Sequence, residues 1–202
     1  MNGIRMTTAG VRGGAVALMM GCLMLMVSLP AARAGTNTAS TKLTATITGG
    51  GTCTVSVNDT SLGTALPTAQ AVKQNWPQLG KANITVSLTN CAGLVLTGKA
   101  PSVTVTGQTL TGNTRLFRNA TGMTSVGFGV AIYSNRTTAA GTAPQVASGV
   151  PVAVGAAGTV LTGDHPQAWL AAVSCGTTSE CSSASLKGGT LRADVTFAFG
   201  YP

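Results

Sequence analysis

The chain has 202 residues, 44% of them hydrophobic, with only 4% aromatic and 8% charged. Twelve Lys and Arg stand against four Asp and Glu, a formal net charge of +8, and His165 is the lone histidine. So little charge argues against a nucleic-acid module or a coiled coil, and so few carboxylates and imidazoles leave little for acid–base or metal chemistry. The 27 glycines, with abundant Thr, Ser, Val and Ala, favour short pleated strands joined by turns. Composition therefore predicts an all-β protein that is no enzyme and holds no cofactor.

Arg5 and Arg12 precede an apolar run from Ala15 to Leu29, which ends at Pro30. Ala32-Arg33-Ala34 then offers small residues at the positions a signal peptidase reads. The pattern predicts a secretory leader over 1–34. The run is short of the ~20 apolar residues that span a bilayer, so no membrane insertion is expected. Gly21-Cys22 mimics a lipoprotein site, but the apolar run continues past it to Leu29. Without Arg5, Arg12 and Arg33, twelve basic residues become nine, and nine against four acidic ones leave +5. The remaining cations, such as Lys42, Lys73, Lys99, Arg118 and Lys187, are scattered, which describes a solvated surface and no nucleic-acid partner.

Beyond Cys22 lie Cys53, Cys91, Cys175 and Cys181. An even number in an exported chain predicts two disulfides, with three possible connectivities. The economical one joins Cys53 to Cys91 and closes a short loop with Cys175 and Cys181. That short staple is expected to matter less. No C-x-x-C pair or histidine cluster supports a metal site.

Period-two alternation recurs along the remaining chain. Leu43, Ala45 and Ile47 alternate with Lys42, Thr44 and Thr46. Gly49-Gly50-Gly51 interrupts, and Cys53, Val55 and Val57 resume the pattern. Asn58–Lys81 reads as a polar connection with one helical turn near Ala69–Lys73. Further strands are expected around Ile84–Cys91, Val103–Val105, Val126–Ile132, Val150–Val154 and Trp169–Val173. The last strand places Leu191, Ala193, Val195, Phe197, Phe199 and Tyr201 on one face. About seven short strands and an early inter-strand disulfide predict an immunoglobulin-like sandwich, with a barrel as the alternative.

The N-terminal strand admits two readings. Either it turns a corner into the same sheet, or the three glycines free it as a detachable strand for another sheet. The apolar C-terminal strand, running almost to the terminus, is read as core or as a recognition strand.

Taken together, the alternating extension Ser40–Thr48, the Cys53 and Cys91 spacing, the Ile84-Thr-Val-Ser-Leu-Thr-Asn-Cys91 run and the C-terminus resemble the type 1-like pilin subunits of chaperone–usher fimbriae. Such subunits carry a penultimate tyrosine and a glycine fourteenth from the end, positions held here by Tyr201 and Gly189. The resemblance implies an incomplete immunoglobulin-like β-sandwich completed by a donor strand. It divides the chain into a signal peptide (1–34), a donor-strand extension with glycine hinge (35–51) and a sandwich domain (52–202). Thr41, Leu43, Ala45 and Ile47 are the implied donor side chains. Gly189, Leu191, Val195, Phe197, Phe199 and Tyr201 are the implied receiving strand, with the Pro202 carboxylate held by a periplasmic chaperone. The implied partners are other pilin subunits, in a homo- or hetero-polymer, that chaperone and an outer-membrane usher. The implied destination is a cell-surface fimbrium that supports adhesion. Two features depart from the pattern: no glycine lies between Ala39 and Thr48, and Cys175–Cys181 is not general to such subunits.

Other motifs yield less. Asp164-His165, flanked by Gly163 and Pro166, is read as a turn and not as part of a hydrolase triad. Gly49–Gly51 lacks the lysine and helix of a phosphate loop. Asn58, Asn83, Asn119 and Asn135 form N-x-Ser/Thr sequons of the kind that arise by chance in a threonine-rich chain. Trp169 is expected in the core. The competing functional classes are a lectin-like tip adhesin and another secreted self-associating β protein.

Overall fold

The computed structural model describes residues 50–64, 66–94 and 97–202. The expected leader and the expected donor residues Thr41, Leu43, Ala45 and Ile47 lie outside the described residues. Among the described residues, nine strands form two antiparallel sheets. The larger sheet has β1 (Gly50–Val57), β2 (Leu79–Leu94), β8 (Gly163–Ser174), β6 (Gly129–Tyr133), β5 (Asn113–Phe117) and β4 (Thr109–Leu110), in that spatial order. The smaller has β7 (Pro151–Ala153), β3 (Ser102–Gly107) and β9 (Val195–Gly200). The fold is thus the all-β sandwich that the alternating patterns predict.

The main core lies where alternating apolar residues of the two sheets meet. Ile84, Val86 and Leu88 of β2 and Trp169 of β8 pack with Val103 and Val105 of β3. Trp169 is a core residue, 1% exposed. The second half of β8, Trp169–Ser174, is buried at every position, because both of its faces are covered. Its even-numbered side chains, Leu170 and Ala172, pack with Trp76, Leu116, Ala131 and Tyr133 on the outer side of the sheet. A third cluster closes one end with Ala71, Leu79, Phe128, Val173, Cys175 and Cys181. The two disulfides are Cys53–Cys91 and Cys175–Cys181. The first ties β1 to β2 where their register shifts between Thr52 and Thr54.

Several elements differ from the sequence expectation, each for a local reason. The strand expected over Val126–Ile132 begins only at Gly129, because Gly127 takes φ +73° and breaks the extended run. A Cβ there would lie 2.5 Å from the Ser185 carbonyl oxygen. Asp164 and His165 are not in a turn; they belong to β8, with His165 opposite Leu88. Pro166 is tolerated there because β6 joins β8 only from Leu170 onward, so the early half of β8 has a free side. The short hairpin β4–β5 carries too little alternation to be seen. The helical turn is a 3-10 helix, Thr68–Ala71. Gly50 and Gly51, placed by the sequence in the hinge, are the first residues of β1, paired with Leu94 and Gly93.

Candidate functional site: an open groove between two sheet edges

β1 is an edge strand of the larger sheet and β9 an edge strand of the smaller. Their inward side chains are less covered than the rest of the core. Cys53, Val55 and Val57 on β1, and Val195, Phe197 and Phe199 on β9, pack against the main cluster yet stay only partly buried. Val86, Leu88, Val103 and Val105, which face the same core from interior strands, are fully buried. Among the described residues, the core is therefore incompletely covered along these two edges.

At one end the edges touch. A Cβ placed on Gly51 would lie 2.8 Å from Cε2 of Tyr201, and the Tyr201 hydroxyl accepts the Leu161 N–H at 3.3 Å. The Tyr201 ring stands edge-on to Phe199, with centroids 5.4 Å apart. Toward the other end the edges separate and leave a groove of about 1230 Å³. That exceeds the roughly 300–1,000 Å³ of ordinary small-molecule pockets and suits an extended segment better. One wall is Val55, Val57 and 58–63, and the other 188–197; Ile132, Ala171 and Val173 form the apolar floor.

The backbone of the second wall is half-used. Thr190 accepts from Ser125 N–H and donates to Thr124 Oγ1. Arg192 accepts from Asn119 N–H and donates to Met123 Sδ, and Asp194 donates to Asn119 Oδ1. The even-numbered peptide groups thus face the 119–125 segment. In extended chain the odd-numbered ones face the opposite way, into the groove. The N–H and C=O groups of Leu191 and Ala193 have no partner among the described residues. Unpaired strand groups beside an apolar floor are a template for one more strand.

The mouth of the groove is charged. Arg192 Nε donates to Asp194 Oδ1 at 2.8 Å. That bond holds the Asp194 carboxyl below the usual range, helped by the Asn119 amide at 2.8 Å. It also raises the Arg192 guanidinium, to which Asp59 on the opposite wall adds a smaller pull. Arg118 braces the rim from behind, donating to the Ser125 and Phe128 carbonyl oxygens at 2.6 and 3.2 Å.

Of the receiving residues implied by the sequence, Gly189, Leu191, Val195 and Phe197 line the groove. Phe199 and Tyr201 lie at the closed end, and Pro202 is exposed beyond them. A side chain at Gly189 has no room, since a Cβ would stand 2.5 Å from Ser125 N. Sequence reasoning missed the opposite wall, Val55 to Asp59, and the acidic mouth. The alternation of Val55 and Val57 was visible, but nothing in it marks an edge strand. Among the described residues, no group of three His, Cys, Asp or Glu side chains is placed to hold a metal. No helix of the described residues is long and apolar enough to cross a membrane.

No family model matches the sequence, and no curated relative matches it. The structure is similar to that of the P pilus rod subunit PapA, at 17% identity and TM-score 0.47, over 74% of this chain and 99% of that one. It is also similar to a chaperone–usher pilus rod structure, at 16% identity and TM-score 0.48, over 83% and 97%. A third similar structure is the antigen and type I fimbria protein of Burkholderia pseudomallei, at 18% identity and TM-score 0.45, over 76% and 99%.

Proposed function

We propose that this chain is a structural subunit of a bacterial surface fimbria, polymerised by donor-strand exchange. The observation that carries the reading is the open groove between the edges of β1 and β9, with peptide groups along one wall that have no partner among the described residues. The alternating segment Thr41–Ile47 of another subunit is the strand that fills it, with Leu43, Ala45 and Ile47 turned inward. Burying Leu43 and Ile47 contributes roughly 3–6 kcal/mol, at about 1.5–3 kcal/mol per side chain. Main-chain pairing adds to this and makes dissociation slow. Until the groove is filled it exposes apolar surface and an unpaired edge, both prone to aggregation. A periplasmic chaperone that lends a strand, binding the Pro202 carboxylate, and an outer-membrane usher that exchanges it are the partners this chemistry requires. The route begins with removal of the 1–34 leader, and the assembled fibre serves cell adhesion.

The test is assembly. Surface fibres purified and kept unboiled in detergent are expected to run as a ladder of multimers that collapses on heating. Deletion of 35–48 is expected to leave a chaperone-bound subunit that cannot be added beneath another. Normal ladders from the deleted chain would rule the mechanism out.

A further inference from the structure

We infer that the groove takes the Ala39–Ile47 segment of a second copy antiparallel to β9, in the register that sets Lys42 opposite Asp194. The inference rests on the donor-strand reading and adds to it which side chains meet. In an antiparallel pair, directly opposite residues share a face. The inward row of the groove wall is Leu191, Ala193, then Val195 and Phe197; at Gly189, before it, the 124–125 backbone fills the place of a side chain. With Lys42 opposite Asp194, the incoming row meets it large against small. Ala45 falls on Leu191 and Leu43 on Ala193, and Ile47 lies beyond them, opposite Gly189. Ala39 falls on Phe197 at the narrowing end. A shift of two residues one way sets Ile47 on Leu191 and Ala45 on Ala193, a crowded pair beside a void. A shift the other way sets Leu43 on Leu191, again a crowded pair. Close-packed interiors penalise both.

The outward face selects the same register independently. Lys42 is the sole charge between Ala39 and Ile47. The groove mouth holds two carboxylates, Asp59 and Asp194, against one cation, Arg192, a local excess of one negative charge. Lys42 balances it. Because the even-numbered peptide groups of this wall face the 119–125 segment, Lys42 and Asp194 form a non-hydrogen-bonded pair. That is the pair type in which side chains approach closest. Ser40 then lies opposite Thr196, and Thr46 opposite Thr190.

Engineered cysteine pairs in full-length subunits read the register, because the four native cysteines beyond the leader are already bonded to each other. Oxidised fibres carrying Lys42→Cys with Asp194→Cys, boiled in detergent without reductant, are expected to give covalent multimers. Ser40→Cys with Thr196→Cys is expected to do the same and leaves Asp194 intact should its loss impair assembly. Thr44→Cys with Asp194→Cys, and Ser40→Cys with Asp194→Cys, are shifted by two residues and are expected to stay monomeric. Multimers from the shifted pairs alone overturn the register and leave the donor-strand reading standing. A bond confined to single chains overturns the second copy as occupant. Fibres in which no pair bonds overturn both.

Discussion

The ring of Phe197 tilts against that of Trp169, with centroids 6.0 Å apart and planes at 54°. Trp169 is all but fully buried on β8, whereas Phe197 on β9 is half-covered and lines the groove. The contact therefore joins the two sheets beside the site where cover is missing. Removing a fully buried phenylalanine costs about 3–5 kcal/mol. For the half-covered Phe197, Phe197→Ala is expected to cost about 2 kcal/mol in an isolated or chaperone-released subunit. The loss is expected to be larger in the fibre, where an added strand completes the burial. Denaturant midpoints of both forms check this, and equal losses in the two would show that the groove stays open.

The disulfides are expected to differ less than their loop lengths suggest. Cys53 and Cys91 are 38 residues apart and Cys175 and Cys181 only 6. Loop-closure entropy alone gives about 4 kcal/mol for the first and about 2 kcal/mol for the second. Yet Cys175 and Cys181 are fully buried in the cluster of Ala71, Leu79, Phe128 and Val173, so their removal also disturbs packing. Serine there would add buried hydroxyls, at a further ~1–3 kcal/mol if unpaired. We expect Cys175→Ala with Cys181→Ala to lower stability to within about 1 kcal/mol of Cys53→Ala with Cys91→Ala. Equilibrium unfolding of the two double variants decides it. A short staple that proves nearly neutral would mean that its cluster repacks freely.

Glu180 gives the stapled loop a dependence on pH. Burial alone would raise its pKa, but bonds from Thr177 N–H, Thr177 Oγ1 and Asn113 Nδ2 outweigh it, and the carboxyl titrates below its ordinary value of 4.5. A carboxylate with a lowered folded-state pKa stabilises the fold fully above its unfolded pKa. That contribution is lost as pH falls through the folded value. Melting temperatures of the native chain and Glu180→Gln are therefore expected to differ most near neutral pH and to converge as pH falls below the ordinary glutamate value of 4.5. A difference that stays constant from pH 7 to pH 3 would show that the carboxylate charge is not what holds Thr177 and Asn113.

Legibility in the sequence follows the physics of each element. Val103 and Val105 or Leu191 to Phe197 alternate because one face is apolar, and that pattern exists in the sequence itself. Gly189 was marked by its place near the end of the chain, and its need for lacking a side chain is visible only against Ser125. The strand through Asp164, His165 and Pro166 was hidden because proline is normally a breaker. Only the staggered start of β6 shows that its missing N–H is harmless there. The far wall was illegible for a different reason. Whether Val55 and Val57 sit inside a sheet or at its edge depends on which strands lie beside them, and no local pattern records a neighbour distant in sequence. The acidic mouth is likewise a tertiary fact, since Asp59 and Arg192 are far apart in the chain.

The decisive substitutions are Leu43→Lys and Ile47→Lys. Both residues belong to the segment proposed to enter the groove, whose floor is apolar at Ile132, Ala171 and Val173. A lysine there either carries an unpaired charge into that floor, at a cost of several kcal/mol, or forces the strand away from it. Neither residue belongs to the described sandwich, so its folding and its capture by the chaperone are expected to survive. Chaperone complexes should be recovered from the periplasm at near-normal yield, while surface fibres fall at least tenfold. Because the proposed register turns Lys42 and Thr44 outward in the same segment, Thr44→Lys is the matched control and is expected to leave most assembly intact. Equal loss with Thr44→Lys and Leu43→Lys would show that added charge alone, and not burial on the apolar floor, blocks assembly. Normal fibres from both Leu43→Lys and Ile47→Lys would show that another segment fills the groove.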